Sequence, residues 1–532
     1  MSEQAHLARE RSHKWWTLGS VCTGIFMLLL DLTVVNVALP DIQQAFNASL
    51  SDLQWTIDAY ALTLAAFLLT GGSLADLFGR RRLFAIGLSV FTAGSLLCGV
   101  ASGPLFLVVA RAGQGVGGAI MFATSLALIA QAFPFGRERA IAFGLFGATT
   151  GVAVAVGPVL GGLLTSGLSW RWIFFVNLPI GVLALLVTLT RVGESRDPFA
   201  RRPDLLGFVV FSSGLAALVF GLIRSNTDGW HSMTVIGSLA AAAALLLAFV
   251  VVERVQRAPM FELGLLRVPS LSGGLAAALA MNGSLFAVIT YLVLYYEQQL
   301  GLSAAQAGVR FLPLSGAIFF AASIAGRISE RVPTRLLMTP GFALVGGGLL
   351  LMRGLTPGST WTHLLAGMIV AGVGAGFVNV PLAATAVGVV EPARAGMASG
   401  INSTFRQVGT ATGVAVLGSI FASHVRSSAG HALQGAFGAH AAVVAHAIAS
   451  GGTPAVLGHT PPRLRPLVAH ASRAGFAGGL NLILLVGAAV AFAAAALTLL
   501  LIRERDFVQP VEHAEPITAS AERSPTPAQV GA

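Results

Sequence analysis

The stretch GSLADLFGRRR, Gly72–Arg82, places an acid and three arginines between two apolar segments. A related stretch, GRISER at Gly326–Arg331, separates two other apolar segments in the second part of the chain. In both stretches the acid, Asp76 or Glu330, stands at the same distance after the glycine. Two related halves around a midplane site are typical of secondary transporters. The repeat therefore predicts two homologous halves, each with this charged loop after its second helix.

The composition excludes a soluble enzyme or a secreted domain. Of the 532 residues, 55% are apolar and 10% are charged, against about 45–50% and about 25% in soluble domains. The mean hydropathy is +0.80. The only cysteines, Cys22 and Cys98, lie in apolar runs, which excludes a disulfide scaffold and a cysteine zinc site. No phosphate-binding Gly-Lys-Ser or Gly-Lys-Thr motif is present, which disfavours ATP-driven transport.

Apolar runs long enough to cross a bilayer recur along the chain, because about 20 apolar residues span the hydrocarbon core. We predict about fourteen spans, near residues 16–39, 53–75, 83–102, 104–130, 140–165, 170–190, 205–223, 233–252, 269–296, 306–325, 335–353, 361–389, 396–424 and 476–502. The fold class is an all-α polytopic membrane protein with two six-helix bundles and two intervening helices.

Arginines occupy alternate loops, from Arg80–Arg82 to Arg503 and Arg505. The positive-inside rule then places both termini in the cytoplasm, which requires an even number of spans. The net charge of +10 is explained by topology, so we expect no nucleic-acid partner. The predicted organisation is a cytoplasmic N-terminus at 1–14, a six-helix bundle at 15–190, two linker helices at 204–252, a six-helix bundle at 269–502 containing an extracytoplasmic loop at 425–475, and a disordered cytoplasmic tail at 503–532.

Four stretches form recognisable motifs: the charged loop Gly72–Phe84; RAGQGVGG, Arg111–Gly118; GPVLGG, Gly157–Gly162; and Leu30–Pro40. Together they resemble the major facilitator superfamily, specifically its fourteen-helix drug:proton antiporter branch. The first is similar to the family's loop signature, with Leu77 where arginine is common, and the others to its fourth-helix, fifth-helix and first-helix motifs. The resemblance implies a multi-pass inner-membrane antiporter and no enzyme. It also implies a proton gradient in place of a cofactor, and a hydrophobic, cationic, drug-like substrate handled by a protein that we expect to be monomeric.

Asp31 and Arg111 are the candidate proton-coupling residues. Asp31 lies about 15 residues beyond the interfacial Trp16, roughly 22 Å along a helix. A carboxyl group at that depth is costly and marks a functional site by default. Desolvation favours the protonated carboxyl, whereas arginine keeps its proton. Asp31 would therefore carry the proton and Arg111 would tune it; the structural alternative is an acid paired with an arginine.

Four further residues are candidate substrate contacts. The resemblance implies that Asp58 meets a cation, and a helix-end acid is the alternative reading. Glu297 stands at the outer end of the ninth span, where water contact is the alternative. Asn36 and Gln114 are polar groups within spans and complete the set, with helix-to-helix hydrogen bonding as the alternative.

Conformational gating is expected from two groups of residues. The first, in the charged loop, would latch the two halves together and comprises Gly72, Asp76, Gly79, Arg80 and Arg81. The second consists of small or kinking residues, which shape hinges and close helix contacts, at Gly157, Pro158, Gly161 and Gly162.

The remaining intramembrane polar groups are expected to make helix-to-helix hydrogen bonds, namely Asn282, Asn379, Asn402, Arg406 and Gln407. The histidines near the outer loop fit no compact zinc pattern, so we predict no metal site. Three functional alternatives stay open. The first is an exporter dedicated to a single metabolite or a self-made antibiotic, and the second is a membrane sensor or scaffold that transports nothing. The third is an importer, because topology alone does not give the direction of transport.

Overall fold

The structure is a computed structural model that describes residues 3–48, 50–134, 136–196, 204–256, 259, 261–329, 331–391, 394–449 and 452–508. Within these ranges the chain is helical, without β-strands. The α-helices are α1 Glu3–Phe46, α2 Leu50–Phe78, α3 Arg80–Gly99, α4 Pro104–Ala132, α5 Gly136–Gly167, α6 Trp172–Phe175, α7 Asn177–Arg191, α8 Leu205–Asp228, α9 Met233–Val255, α10 Pro269–Met281, α11 Ala287–Leu294, α12 Ala304–Arg310, α13 Leu312–Ile328, α14 Thr334–Leu351, α15 Thr362–Gly388, α16 Ala395–Phe437, α17 Ala441–Ala449, α18 Thr453–His459 and α19 Arg465–Leu501.

Twelve helices in the described residues are long and apolar enough to cross a membrane. Two further helical stretches, α5 and the pair α12–α13, fall where the sequence predicts the fifth and tenth spans. Two π-helical turns, Asn282–Phe286 and Tyr295–Gln299, interrupt the ninth span. The helices confirm the all-α membrane fold and are consistent with fourteen spans.

The packing repeats between the two halves. In the first half α2 packs on α4, α3 on α4, α1 on α5 and α3 on α7. In the second half α13 packs on α15, α14 on α15, α10 on α16 and α14 on α19. The halves meet through two equivalent pairs, α2 with α16 and α5 with α13. The internal repeat seen in the charged loops therefore extends to the helix contacts.

The two intervening helices are α8 and α9. Helix α8 packs on α2 and α16, where Phe211 and Leu215 share an apolar cluster with Leu69 and Ile401. Helix α9 packs on α8, and only 17% of its apolar window is buried. Helix α8 thus covers one contact between the halves, that of α2 with α16, and most of the surface of α9 is not packed against the rest of the protein.

The predicted outer loop at 425–475 is largely helical where the structure describes it. Helix α16 continues beyond residue 424 to Phe437, and α17 packs against it. Ala429 and Leu433 are buried in one cluster with Ala441 and Ala445. Apolar residues four apart lie on one face of a helix. This spacing lets the segment form a packed core, although its content of Ala, Gly and His suggests a loop.

The prediction of disorder from residue 503 onward is wrong for Arg503–Val508. Asp506 accepts hydrogen bonds from the backbone and hydroxyl of Ser270 at 3.1 and 2.8 Å. The Val508 amide donates to the Gly388 carbonyl at 3.0 Å. Phe507 also packs on the apolar core, which offsets the entropy of ordering this turn. Residues 509–532 lie outside the described part of the chain.

Candidate functional site

Asp31 and Arg111 form an ion pair inside the first half. The Arg111 Nη1 atom donates to Asp31 Oδ2, and the two residues are 1% and 0% exposed. Helix α1 supplies the acid and α4 the base. Each residue of such a buried pair depends on the other, because removing one of them leaves an uncompensated buried charge at a cost of about 3–5 kcal/mol. The structure therefore brings together the two residues predicted to couple to protons.

Gln114, one helical turn beyond Arg111, hydrogen-bonds to both residues of this ion pair. Its Nε2 atom donates to Asp31 Oδ1 at 2.9 Å and to Ser95 Oγ at 2.7 Å, while its Oε1 accepts from Arg111 Nη1 at 2.7 Å. Gln114 is 0% exposed and both ends of its amide are occupied. It supports the ion pair and offers no accessible surface, so the prediction of a substrate contact at Gln114 does not fit this arrangement.

Helix α2 completes the enclosure of Arg111. The Thr56 carbonyl accepts from Arg111 Nε at 3.1 Å, and the guanidinium lies 4.2 Å from the centre of the Tyr60 ring. Asn177 of α7 donates to Ser95 Oγ at 3.0 Å. Sequence analysis missed these residues. A Thr-x-x-x-Tyr spacing on one face of α2 is the signal that could have suggested Thr56 and Tyr60.

Asp58 lies away from the ion pair. Residues two apart on a helix point about 200° apart, so Asp58 faces away from Thr56 and Tyr60. It lies within the electrostatic influence of Arg224 on α8, whose guanidinium is 5.1 Å from the centre of the Trp55 ring. The predicted cation contact therefore stands at the junction of α2 with the intervening helices.

Glu297, another predicted substrate contact, is separate from the ion pair. Glu297 is partly exposed within the π-helical turn that ends the ninth span. Asn36 lies on α1, one helical turn and one residue beyond Asp31, but its side chain is outside the described part of the structure. The structure thus joins Asp31, Arg111 and Gln114 and leaves Asp58 and Glu297 apart from them.

The fifth-helix glycines bring α5 against α1 beside Asp31. A methyl group added at Gly161 would lie 2.8 Å from a Val34 methyl carbon, and one at Gly157 would collide with the Thr33 hydroxyl. Gly162 is partly exposed on the same helix, and the Pro158 side chain is outside the described part. Close packing on the helix that carries Asp31 is therefore the observed role of Gly157 and Gly161.

Asp76 connects the two halves at the arginine-rich face, defined as the end of the molecule that carries the loop Gly79–Arg82. Its carboxylate accepts from the Gly396 and Met397 amides at 3.0 and 2.8 Å, which caps the first turn of α16. It also accepts from Arg80 Nε at 3.0 Å. A methyl group at Gly72 would collide with the Gly396 carbonyl oxygen. The first half is thereby closed directly onto the second.

Gly79 makes the one-residue turn from α2 into α3 with a φ of 105°, a backbone conformation suited to glycine. The next residues are held by Glu194, which sequence analysis missed. Its Oε1 accepts from the Arg81 amide at 3.0 Å, and its Oε2 lies 3.6 Å from Arg81 Nε. These contacts fix the loop that positions Asp76.

A cavity of about 520 Å³ opens between the halves at the arginine-rich face. Phe143 and Arg139 of α5 line one side, and Pro381 of α15 lines the other, together with Glu504 and Phe507 from the ordered C-terminal turn. Among the described residues, no group of three histidine, cysteine or acidic side chains is placed to hold a metal ion.

Comparison with known proteins agrees with this architecture. The profile of the Major Facilitator Superfamily matches residues 21–414. Multidrug resistance protein Stp of Mycobacterium tuberculosis is 37% identical over 407 residues, which cover 76% of each chain. The Tetracenomycin C resistance and export protein of Streptomyces glaucescens is 32% identical over 531 residues, covering 97% of this chain and 95% of the relative. The crystal structure of the human organic anion transporter MFSD10 has the same fold, with a TM-score of 0.52 and 15% identity over 89% of this chain and 99% of its own.

Repeated halves of spanning helices, together with the family match, define a multi-pass membrane transporter and not an enzyme. The chain belongs to the Major Facilitator Superfamily.

Proposed function

We propose that this protein exports hydrophobic, positively charged, drug-like compounds across the inner membrane in exchange for protons, with both termini in the cytoplasm. The buried cluster of Asp31, Arg111 and Gln114 carries the proposal, because an ionisable acid inside a membrane bundle is costly unless it has a task. The relatives named for multidrug resistance and for export support the direction of transport.

Asp31 would be the proton carrier in this mechanism. The ionised carboxylate is held by Arg111 and Gln114. Protonation removes its charge and so weakens the attraction to Arg111, which keeps its own proton. The guanidinium then retains the Thr56 carbonyl and the Tyr60 ring as neighbours. Opening and closing of this pair would link proton occupancy to the packing of α1 on α4 and α5.

The gate at the arginine-rich face would alternate with proton binding. We assign the closed cytoplasmic gate to Asp76 with Gly72, Gly79, Arg80 and Arg81, since these residues form or position the contact with α16. Its opening would release the Gly396 and Met397 amides together. Rocking of one half against the other requires such a contact to break and re-form.

The positive charge of the substrate would be met by Asp58 at the junction of α2 and α8. A cationic compound would compete with Arg224 for this carboxylate. Glu297 and Asn36 are proposed as additional polar contacts nearer the outer side. We further propose that the protein works as a monomer, with the proton gradient as its only energy source and no cofactor.

The test is dye export driven by an imposed pH gradient in inverted membrane vesicles, where export is measured as dye uptake into the acidic lumen. Asp31→Asn should abolish the gradient-driven component while the amount of protein in the membrane is unchanged. Asp41→Asn is the matched control, because Asp41 lies on the same helix but is exposed. Efflux by Asp31→Asn equal to that of Asp41→Asn would remove Asp31 from the coupling mechanism.

A second candidate is an exporter of one compound made by the same cell. The observation that favours it is the relative named for tetracenomycin C resistance and export, whose alignment covers 97% of this chain. A panel of structurally unrelated compounds in a pump-deficient host separates the two. Protection against several unrelated compounds supports a multidrug exporter, whereas protection against one scaffold supports the dedicated exporter.

A further inference from the structure

A polar cluster on α16 has several buried polar atoms without a hydrogen-bond partner in the described part of the chain. Ser399, Asn402, Ser403 and Arg406 share one helix face, since residues three, four and seven apart are neighbours on a helix. Asn402 is 1% exposed, and both atoms of its amide have no hydrogen-bond partner. The Ser399 and Ser403 hydroxyls and Arg406 Nε also have none. Each unsatisfied buried polar group is costly, so several of them on one helix face indicate a site where a ligand supplies the missing hydrogen bonds.

Arg406 differs sharply from Arg111. Arg111 has a carboxylate, an amide oxygen and a backbone carbonyl as acceptors. Arg406 makes one long hydrogen bond, from Nη2 to Asn379 Oδ1 at 3.4 Å. None of the ion pairs among the described residues includes Arg406. An arginine stays charged in the membrane, so this guanidinium needs an anionic partner that the described residues do not provide.

The position of Arg406 fits a substrate site. It lies ten residues beyond Gly396, which Asp76 holds at the arginine-rich face, and therefore about 15 Å into a core of ~30 Å. The segment Ala395–Thr404 is entirely buried, whereas Phe405–Val408 is partly accessible. Arg406 thus stands where the sealed part of α16 ends, near the membrane midplane where transporters of this architecture bind substrates.

We propose that Arg406, assisted by Asn379 and Asn402, binds an ionised oxygen of the exported compound, such as a carboxylate. A guanidinium presents paired donors that match a carboxylate. The inference rests on the proposed export function and refines it. The preferred substrates are amphoteric, with a hydrophobic body, a positive charge and an acidic oxygen.

Rhodamine B and pyronin B test this directly, because they share a cationic diethylamino-xanthene body and only rhodamine B carries a carboxyphenyl group. Fluorescence titration of the purified full-length protein in detergent should show tighter binding of rhodamine B by the wild type. Arg406→Gln should weaken rhodamine B binding about ten- to one-hundred-fold, as expected for a charged hydrogen bond. The affinity for pyronin B should stay within about twofold of the wild-type value. No wild-type preference for rhodamine B, or an equal loss for both dyes, would overturn the proposal.

Two further variants separate binding from folding. Arg406→Lys keeps the charge but loses the paired donors, so it should weaken rhodamine B binding less than Arg406→Gln. Asn379→Asp places a carboxylate beside Arg406 and should erase the preference for rhodamine B in a protein that elutes as a single species. An unchanged preference in well-folded Asn379→Asp also contradicts the site. A wild type that prefers rhodamine B but shows no proton-driven efflux refutes the export function and leaves the binding site standing.

Discussion

Neutralising Asp31 and Arg111 separately and together gives the sharpest test of how the buried cluster is held. Asp31→Asn leaves the Arg111 guanidinium, which is 1% exposed, without its carboxylate. Arg111→Gln leaves the Asp31 carboxylate with Gln114 as its remaining donor. Breaking a buried pair by removing one partner costs about 3–5 kcal/mol, because it leaves an uncompensated buried charge. The double variant leaves no such charge, and its two amides can hydrogen-bond to each other. The double variant should therefore be more stable than either single variant.

The magnitude can be read from thermal melting in detergent. One kcal/mol shifts the midpoint by about 2–4 °C for a unit of 150–250 residues, the size range of the predicted first bundle. Each single variant should therefore melt about 6–20 °C below the wild type, and the double variant should recover most of that loss. Asp41→Asn should melt with the wild type, because Asp41 is exposed on the same helix.

The stability rescue should not restore transport. The double variant lacks the carboxyl group that takes the proton, so it should be as inactive in gradient-driven efflux as Asp31→Asn. The reasoning is refuted if the loss in the double variant equals the sum of the single losses, because the two side chains would then act independently.

Three other substitutions probe the gate and the substrate contact. Gly72→Ala should disfavour the closed arrangement of α2 and α16 by about 1–3 kcal/mol, detected as faster labelling of a cysteine introduced at the arginine-rich face. Gly113→Ala, where an added methyl meets nothing within 4 Å, should label like the wild type, and equal labelling of both variants would exclude the steric account. Asp76→Asn keeps one acceptor oxygen for a backbone amide of α16 and should melt above Asp76→Ala by the equivalent of about 1 kcal/mol; identical melting would argue against capping. Asp58→Asn should weaken the binding of a cationic dye about fivefold, the equivalent of roughly 1 kcal/mol, and should leave the efflux of an uncharged substrate unchanged. An equal loss for both compounds would count against a charge contact.

The helical architecture could be predicted because membranes impose it. Apolar runs, alternating arginines and the repeated loop specify spans and two related halves without any tertiary information. The predictions failed where a segment was interpreted from its composition alone. The outer segment is rich in Ala, Gly and His and was interpreted as a loop, yet Ala429 and Leu433 pack on α17. The turn Arg503–Val508 falls in the predicted disordered tail, which is polar and contains prolines, but its order comes from distant partners such as Ser270.

The candidate site was predictable where a charge is rare and buried. Asp31 and Arg111 stand out because few ionisable residues lie inside apolar helices. Their enclosure could not be inferred, since a backbone carbonyl such as that of Thr56 has no sequence signature. The family resemblance drew attention to Asp58, whereas Tyr60 on the opposite helix face contacts Arg111. Sequence analysis assigns Arg406 to ordinary helix packing, because its lack of an anionic partner among the described residues appears only in three dimensions.

Proton release on substrate binding tests the central claim most directly. The purified protein in weakly buffered detergent solution is mixed with a cationic dye, and a pH indicator follows the proton balance. The wild type should release protons as the dye binds, and Asp31→Asn should bind the dye with no release. Release from Asp31→Asn equal to that of the wild type would contradict the assignment of Asp31 as the proton carrier.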